Sequence, residues 1–288
     1  MIHLFALLSL LLCGVCYTGF QNSSHFHNTS NRRSLLLLVF GGALLLRLLL
    51  AYTTHGFSND IACFAAWADR IFTLGPGQFY SAEMFTDYPP GFMYVLYLIG
   101  ALRSLLQIPY YSDLHILLLK LPAILCDIAC GFLLYREAVK RLHFSDLQGI
   151  FAASAYLFQP AVILNSSCWG QVDSVYTLMI ILMCLFLMKG NLLPAYAVYG
   201  LGVLLKPQML IFTPVLLAGI WDHVFLQDFS WRKFFYNLCG GLVVICGMLL
   251  LCAPFGLTAA ISQYTSTLGS YEYAAINAYN FWGLLGMN

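Results

Sequence analysis

The sequence predicts an all-α fold, a polytopic bundle of transmembrane helices. Of the 288 residues, 61% are hydrophobic and only 9% are charged, whereas soluble domains have about 45–50% apolar and about 25% charged residues. The apolar residues form runs close to the ~20 residues that cross a ~30 Å hydrocarbon layer. These runs are 35–51, 114–135, 150–164, 172–188 and 238–253. Several helices are therefore expected to span a bilayer.

Charge and cysteine usage exclude two other classes of protein. The net charge is +1, so no basic stripe is available to neutralise the phosphates of a nucleic acid. The ten cysteines lie mostly inside apolar runs without paired CxxC spacing, which argues against a disulfide or zinc framework. We interpret them as small buried hydrophobic residues.

The chain divides into an N-terminal apolar segment with a polar linker, 1–33, and a membrane module, 34–288. Segment 1–20 is apolar enough to span a membrane, but it lacks the basic start and small-residue cleavage site of a signal peptide. We expect an additional helix or a misassigned start there. The chain ends shortly after the motif at 279–284, which leaves a C-terminally incomplete module as one interpretation.

The few cations predict the orientation, because Lys and Arg in short loops mark the cytoplasmic side. All clusters reach one side only if 90–107 lies in the membrane interface and does not span. Pro89-Pro90 and Arg103 favour that interfacial helix. About seven to eight spans then remain, with interfacial helices in the first outer loop. The clusters are Arg32-Arg33, Arg136/Lys140/Arg141, Lys189 and Arg232-Lys233.

With this orientation, the remaining polar residues collect at the outer face. Asp60 follows the first long span in a polar stretch, and such a carboxylate can accept a proton from a hydroxyl. A solvated loop carboxylate is the alternative. Asp87 and Tyr88 precede Pro89-Pro90, where Asp87 is either part of the site or the N-cap of the next helix.

Two interruptions of long apolar stretches supply the other candidate residues. Residues 168–174 join two helices and contain Trp169, Gln171 and Asp173, and Asp173 could cap a helix or hold a metal or a hydroxyl. At 206–208, Lys206-Pro207-Gln208 places a cation at membrane depth. Lys206 either binds an anion such as a phosphate or extends toward the interface.

Lys120 and Asp127 are seven residues apart on one predicted helix and therefore share a face. Charged residues inside membrane segments usually face the bundle and pair with one another. A mutual pair and a catalytic role are both open for these two residues.

Taken in order, these motifs resemble those of bacterial mannosyltransferase-like proteins related to the GPI-anchor second-mannose transferase. They also resemble, more distantly, the lipid-linked-oligosaccharide glucosyltransferases and the protein O-mannosyltransferases, all of the GT-C class. The resemblance covers roughly residues 35–288. It rests on Asp60, Asp87-Tyr88-Pro89-Pro90, Phe158-Gln159-Pro160, the 169–174 motif, Lys206-Pro207-Gln208 and the 279–284 motif.

This resemblance implies an enzyme that moves a sugar from a polyprenyl-phosphate donor to a glycan, lipid or protein acceptor, most simply in a bacterial plasma membrane. Asp60 is then the catalytic base. Lys206, Gln208 and Lys120 are candidates for binding the donor. The resemblance implies no particular cofactor, and a divalent cation near Asp173 remains open. Asp87, Tyr88, Trp169, Gln171 and Asp173 are expected to line the site.

The implied mechanism is direct displacement, in which Asp60 deprotonates the acceptor and Lys206 stabilises the leaving phosphate. Two alternatives from other classes are a transporter, which also has broken helices and intramembrane charges, and a non-catalytic membrane scaffold. The sequence shows no internal repeat, and its polar residues gather at one face, which argues against the transporter.

Overall fold

The computed structural model describes residues 32–80, 85–227 and 229–269, together with Gly14 and Tyr17. This part of the chain is helical and contains no strand, and the predicted all-α membrane fold is confirmed. Apart from those two positions, the segment 1–31 lies outside the described residues. The motif at 279–284 and the chain end at 285–288 lie outside them as well.

Eleven helical segments are labelled here among the described residues. In chain order they are α1 Arg32–Thr53, α2 Ser58–Leu74, α3 Pro90–Leu105, α4 Asp113–Lys140, α5 Asp146–Leu157, α6 Pro160–Trp169, α7 Asp173–Met188, α8 Leu192–Leu205, α9 Pro207–Leu226, α10 Trp231–Cys252 and α11 Leu257–Gly269.

Four of these helices, α1, α4, α9 and α10, are long and apolar enough to cross a membrane. The pair α5 and α6 passes the same test together but bends by 51° between Leu157 and Pro160. Pro160 lacks a backbone N–H and forces the preceding Gln159 into an extended conformation, with φ −63° and ψ 119°. The apolar helices α7 and α8 are shorter, at 16 and 14 residues.

The bundle has two chemically different ends. At the end that we call the site end, Lys120 near the start of α4 reaches Thr54 just after α1, and Lys206 after α8 pairs with Asp173 of α7. At the opposite end, called the basic end, lie the start of α1, the last turns of α4 and α7, and the start of α10. Because Lys and Arg cluster at the basic end, we predict that this end faces the cytoplasm.

Helix α3 begins and ends at the site end. Its Gly91 packs so closely on α8 that an added Cβ would lie 2.6 Å from the carbonyl oxygen of Leu204, next to Lys206. At its other end, Arg103 lies 5.7 Å from the ring centroid of Tyr110, just before α4 begins. The helix therefore does not reach the basic end, which agrees with an interfacial placement of 90–107.

The largest core cluster packs α2 against α3 and is rich in aromatic residues. The rings of Phe64, Trp67, Tyr88 and Phe92 pack edge-to-face or tilted, with centroid separations of 5.4 to 5.7 Å. The indole N–H of Trp67 also donates to the carbonyl of Phe85 at 2.9 Å. This packing holds Tyr88 in place at the site end.

The start of α3 corrects one expectation. The N-cap residue is Pro89, with φ −74° and ψ 169°, and its side chain makes no capping hydrogen bond. Pro90 occupies the first helical position, where a missing N–H has no consequence. Asp87 lies two residues before the cap, so its interpretation as the N-cap is wrong.

Candidate functional site

Six of the residues predicted from the sequence form one connected network at the site end. Hydrogen bonds, an ion pair and a cation–π contact link them across α2, the end of α6, α7 and the segments preceding α3, α7 and α9. They are Asp60, Tyr88, Trp169, Gln171, Asp173 and Lys206. The fold brings these predicted residues into contact, and their functional role stays a prediction.

Asp60 is half-buried in the first turn of α2, where the helix dipole favours a negative charge. Its Oδ2 accepts hydrogen bonds from the indole N–H of Trp169 at 2.8 Å and from Nε2 of Gln171 at 2.6 Å. Its Oδ1 accepts no hydrogen bond from the described residues. The carboxylate is thus held on one side and open on the other.

The turn that carries Trp169 and Gln171 depends on Gly170. This residue ends α6 in the left-handed region, with φ 90° and ψ 20°, which glycine adopts without steric penalty. A Cβ there would also lie 2.5 Å from Cδ1 of Ile61 in α2. The backbone N–H of Phe57 donates to the carbonyl of Trp169 at 2.8 Å, so the start of α2 is fastened to this turn.

Trp169 remains accessible although its N–H is engaged. Its side chain is 43% exposed and packs on one side against Phe57, with ring centroids 4.9 Å apart. Gln171 also accepts from the hydroxyl of Tyr88 at 3.5 Å. An indole face thus lies beside a fixed carboxylate and a fixed amide.

Lys206 is nearly buried, with an 11% exposed side chain, and forms an ion pair with Asp173. Its ammonium lies 5.7 Å from the ring centroid of Tyr88 and 5.5 Å from that of Tyr176, within the range of cation–π attraction. Pro207 ends α8 and leaves Lys206 extended, with φ −153° and ψ 126°. The anion that this lysine requires is therefore supplied by the protein.

Asp173 is the first residue of α7 and makes no side-chain cap. One of its oxygens pairs with Lys206, and the other accepts from Nδ2 of Asn165 at 2.9 Å. No group of three His, Cys, Asp or Glu side chains in the described ranges converges as a metal-ligand set. A cation at Asp173 would have to displace Lys206, and it stays a prediction.

Two predicted residues lie beside the network. Asp87 is half-buried, and burial, Asp87 and Asp60 together raise the pKa of the Cys63 thiol in α2, in that order of effect. Both carboxylates therefore lie near Cys63. Gln208 is exposed, and its side chain makes no hydrogen bond within the described part of the chain.

Lys120 does not join the network but lies beneath it. It is fully buried and donates to the carbonyl of Ala51 at 3.2 Å and to the carbonyl and hydroxyl oxygens of Thr54 at 2.6 and 3.1 Å. Three acceptors match the three N–H groups of an ammonium. Lys120 therefore satisfies carbonyls at the end of α1 and has no N–H left for a lipid phosphate.

The pair suggested for Lys120 and Asp127 does not form. Asp127 is instead bound by Arg47 of α1, with Nε to Oδ2 at 3.2 Å, and both side chains are fully buried. The hydroxyls of Tyr156, Ser166 and Ser174 also donate to Asp127. Arg47 was not among the residues predicted from the sequence, although a lone Arg in the apolar run 35–51 is itself a signal of an intramembrane pair.

The fold and these contacts define a multi-pass integral membrane protein with a polar site at one end of its helix bundle. A family model described as GPI transamidase subunit PIG-U matches residues 35–275. The chain therefore belongs to this family. A comparison with curated proteins gave no match.

The family assignment supports only part of what the resemblance implied. It supports a membrane protein family of the GPI pathway and an integral, multi-pass location. It does not extend to mannosyl transfer, a polyprenyl-phosphate donor or a bacterial plasma membrane.

Proposed function

We propose that this chain is a membrane subunit of an assembly that attaches GPI anchors to proteins, and that its site-end network binds the polar headgroup of the lipid-linked glycan. The family description supports a role in such an assembly. Because GPI anchors are attached at the endoplasmic reticulum, we place the chain in that membrane, with the site end facing the lumen. The side chains of the network support the role in binding the headgroup.

The exposed indole of Trp169 carries this proposal. Its ring offers an apolar face of the kind that packs on the C–H face of a sugar, while Asp60 fixes its N–H. Asp60 and Gln171 lie beside it as acceptors and donors for sugar hydroxyls. A site of this type needs an apolar face and a few fixed polar groups.

Lys206 extends the site toward a phosphate. Its charge is balanced by Asp173, which is 38% exposed, between two tyrosine rings. A headgroup phosphate that approached Lys206 would contact the same ammonium group as Asp173. A charge-assisted hydrogen bond from this ammonium would hold the phosphate. A glycan on Trp169 and a phosphate near Lys206 together describe a phosphorylated glycolipid headgroup.

A second candidate is glycosyl transfer from a polyprenyl-phosphate sugar, favoured by the open Oδ1 of Asp60. In this reaction, Oδ1 takes the proton of the acceptor hydroxyl, whose oxygen attacks the anomeric carbon. The bond from that carbon to the phosphate oxygen breaks, and Lys206 stabilises the leaving phosphate. The bacterial plasma membrane and a divalent cation near Asp173 belong to this candidate.

Variants of Asp60 and Trp169 separate the two functions. In cells lacking their own family member, surface display of a GPI-anchored reporter is measured by flow cytometry. We expect Asp60→Asn to retain most display, because the amide oxygen still accepts from Trp169. Trp169→Ala should reduce display at least ~10-fold, because the contact between the indole ring and a bound sugar, once buried, is worth more than about 1.4 kcal/mol.

The control variant is Asp113→Asn, an exposed acid at the same end that lies 3.6 Å from Nδ1 of His55. It should leave display unchanged. In parallel, membranes are assayed for sugar transfer from a polyprenyl-phosphate donor. If they transfer sugar and Asp60→Asn lowers the rate by about 10²-fold or more, the glycosyltransferase candidate replaces the binding function.

A further inference from the structure

The basic end contains a cavity that takes part in neither of the two functions proposed for the site end. Its volume is about 470 Å³, and it lies between the last turns of α4 and α7. Small-molecule sites commonly occupy about 300–1,000 Å³. The lining residues are Arg136, Glu137, Lys140, Arg141, Met188 and Lys189.

Three of the four cations in this cavity have no acidic partner among the described residues. Arg136 binds the carboxylate of Glu137 through Nε at 2.9 Å and through a second nitrogen at 2.6 Å. Lys140, Arg141 and Lys189 are exposed, and none of them forms an ion pair in the described part of the chain. The cavity therefore has an excess of positive charge.

The helix ends reduce this charge without cancelling it. Both α4 and α7 point their carboxyl termini at the cavity, and each contributes roughly −0.5 of an elementary charge. Four cations and one carboxylate give three net positive charges, so about two remain after this correction. A phosphomonoester carries about −1.5 to −2 charges at pH 7.

The flank of α4 indicates that the ligand is a membrane lipid. Phe132, Arg136 and Lys140 follow one another at intervals of four residues and therefore lie along one face of the helix. Phe132 is 51% exposed, and Met188 in the cavity wall is 53% exposed. An apolar surface thus leads from the cations toward the centre of the bilayer, where acyl chains lie.

We propose that this cavity binds the headgroup of a cytoplasmic-leaflet phospholipid that carries a phosphomonoester. The phosphate contacts Lys140, Arg141 and Lys189, and the acyl chains lie along the exposed face of α4. Basic pockets between transmembrane helices on the cytoplasmic side are suited to such headgroups. This binding is independent of the site-end network, which lies at the other end of the bundle.

The test uses the purified full-length protein in detergent, and native mass spectrometry measures the lipid bound at increasing concentration. The probes are phosphatidylinositol 4-phosphate, phosphatidylserine and phosphatidylcholine. We expect one phosphatidylinositol 4-phosphate to bind much more tightly than one phosphatidylserine, and phosphatidylcholine to bind weakest. Inositol 1,4-bisphosphate, which lacks acyl chains, should bind at least ~10-fold more weakly, as expected when acyl burial contributes.

Three sets of variants test the residues. Combined Lys140→Gln, Arg141→Gln and Lys189→Gln should weaken binding on the order of 100-fold, since each cation contributes about fivefold. Glu137→Gln should strengthen binding about fivefold, because it frees Arg136. Combined Arg232→Gln and Lys233→Gln, at the same end but outside the cavity wall, should change affinity less than twofold.

Three outcomes would overturn the proposal. One is an unchanged affinity of the triple variant, and another is equal affinity for phosphatidylserine and phosphatidylinositol 4-phosphate. The third is equal affinity for the free headgroup, which would indicate a soluble phosphate ligand. If the triple variant fails to fold, Glu137→Gln decides, because misfolding does not tighten binding.

Discussion

Arg47 of α1 and Asp127 of α4 form a fully buried ion pair, with Nε and Oδ2 3.2 Å apart. Hydroxyls from α5, α6 and α7 complete the coordination of the same carboxylate. One carboxylate thus joins five helical segments below the site. A buried charge of this kind is stable only while it is paired and hydrogen-bonded.

The first prediction concerns this pair. Arg47→Met should lower the free energy of unfolding by about 3–5 kcal/mol, because Asp127 is left as an uncompensated buried charge. Unfolding is followed by circular dichroism during titration of mixed micelles with a denaturing detergent. The double variant Arg47→Met with Asp127→Asn should recover most of the loss, and a double variant no more stable than the single one would contradict the pairing.

The second prediction concerns Lys120. Lys120→Met should lower the free energy of unfolding by about 1–3 kcal/mol, since it leaves buried carbonyls of Ala51 and Thr54 without a donor. The control is Arg33→Met, an exposed cation on α1, which should change stability by less than about 0.5 kcal/mol. If Lys120→Met keeps full stability but loses ligand binding, the original assignment of Lys120 to a phosphate is right.

The third prediction separates the two roles of Lys206, pairing with Asp173 and binding a ligand phosphate. Lys206→Met should reduce photo-crosslinking of a GPI analogue about 10-fold, the effect of losing one charge-assisted hydrogen bond. Lys206→Met also leaves Asp173 unpaired, which lowers stability. Adding Asp173→Asn should restore that stability, because the unpaired acid is gone, but it should not restore crosslinking. Restored crosslinking in the double variant would show that Lys206 only neutralises Asp173.

The fourth prediction concerns orientation. In sealed vesicles, a membrane-impermeant thiol reagent should label Ser58→Cys and Gln208→Cys from the side opposite to Lys140→Cys and Arg232→Cys. The first two positions are exposed at the site end, and the last two lie at the basic end. Labelling of Lys140→Cys from the same side as Ser58→Cys would mean that α3 spans the membrane.

Position 170 is unsuitable for such labelling. Gly170 has a φ of +90°, and an added Cβ would lie 2.5 Å from Ile61. A cysteine at this position would disturb the turn that holds Trp169 and Gln171 against Asp60. Gln208 is exposed, and its side chain makes no hydrogen bond to the described part of the chain, so it is the better reporter of the site end.

The sequence alone determined the class of fold, and it predicted that the cations lie on one side and that six polar residues, which meet in the network, lie on the other. Hydrophobic run length and sparse charge decide these features, because the bilayer restricts spanning segments to helices and makes each charge costly. The Pro and Gly residues at 89–90, 170 and 207 also marked the breaks where the polar residues lie. These signals are local in the chain, so the sequence shows them directly.

Only the tertiary structure decided which charged side chains form pairs. Lys120 and Asp127 share a helix face, yet Lys120 turns to the end of α1 and Asp127 to Arg47, 80 residues away in the chain. Lys206 needed an anion, and the packing of α8 against α7 supplied Asp173. Partners of buried charges are chosen by the three-dimensional approach of helices, which residue spacing within one helix does not encode.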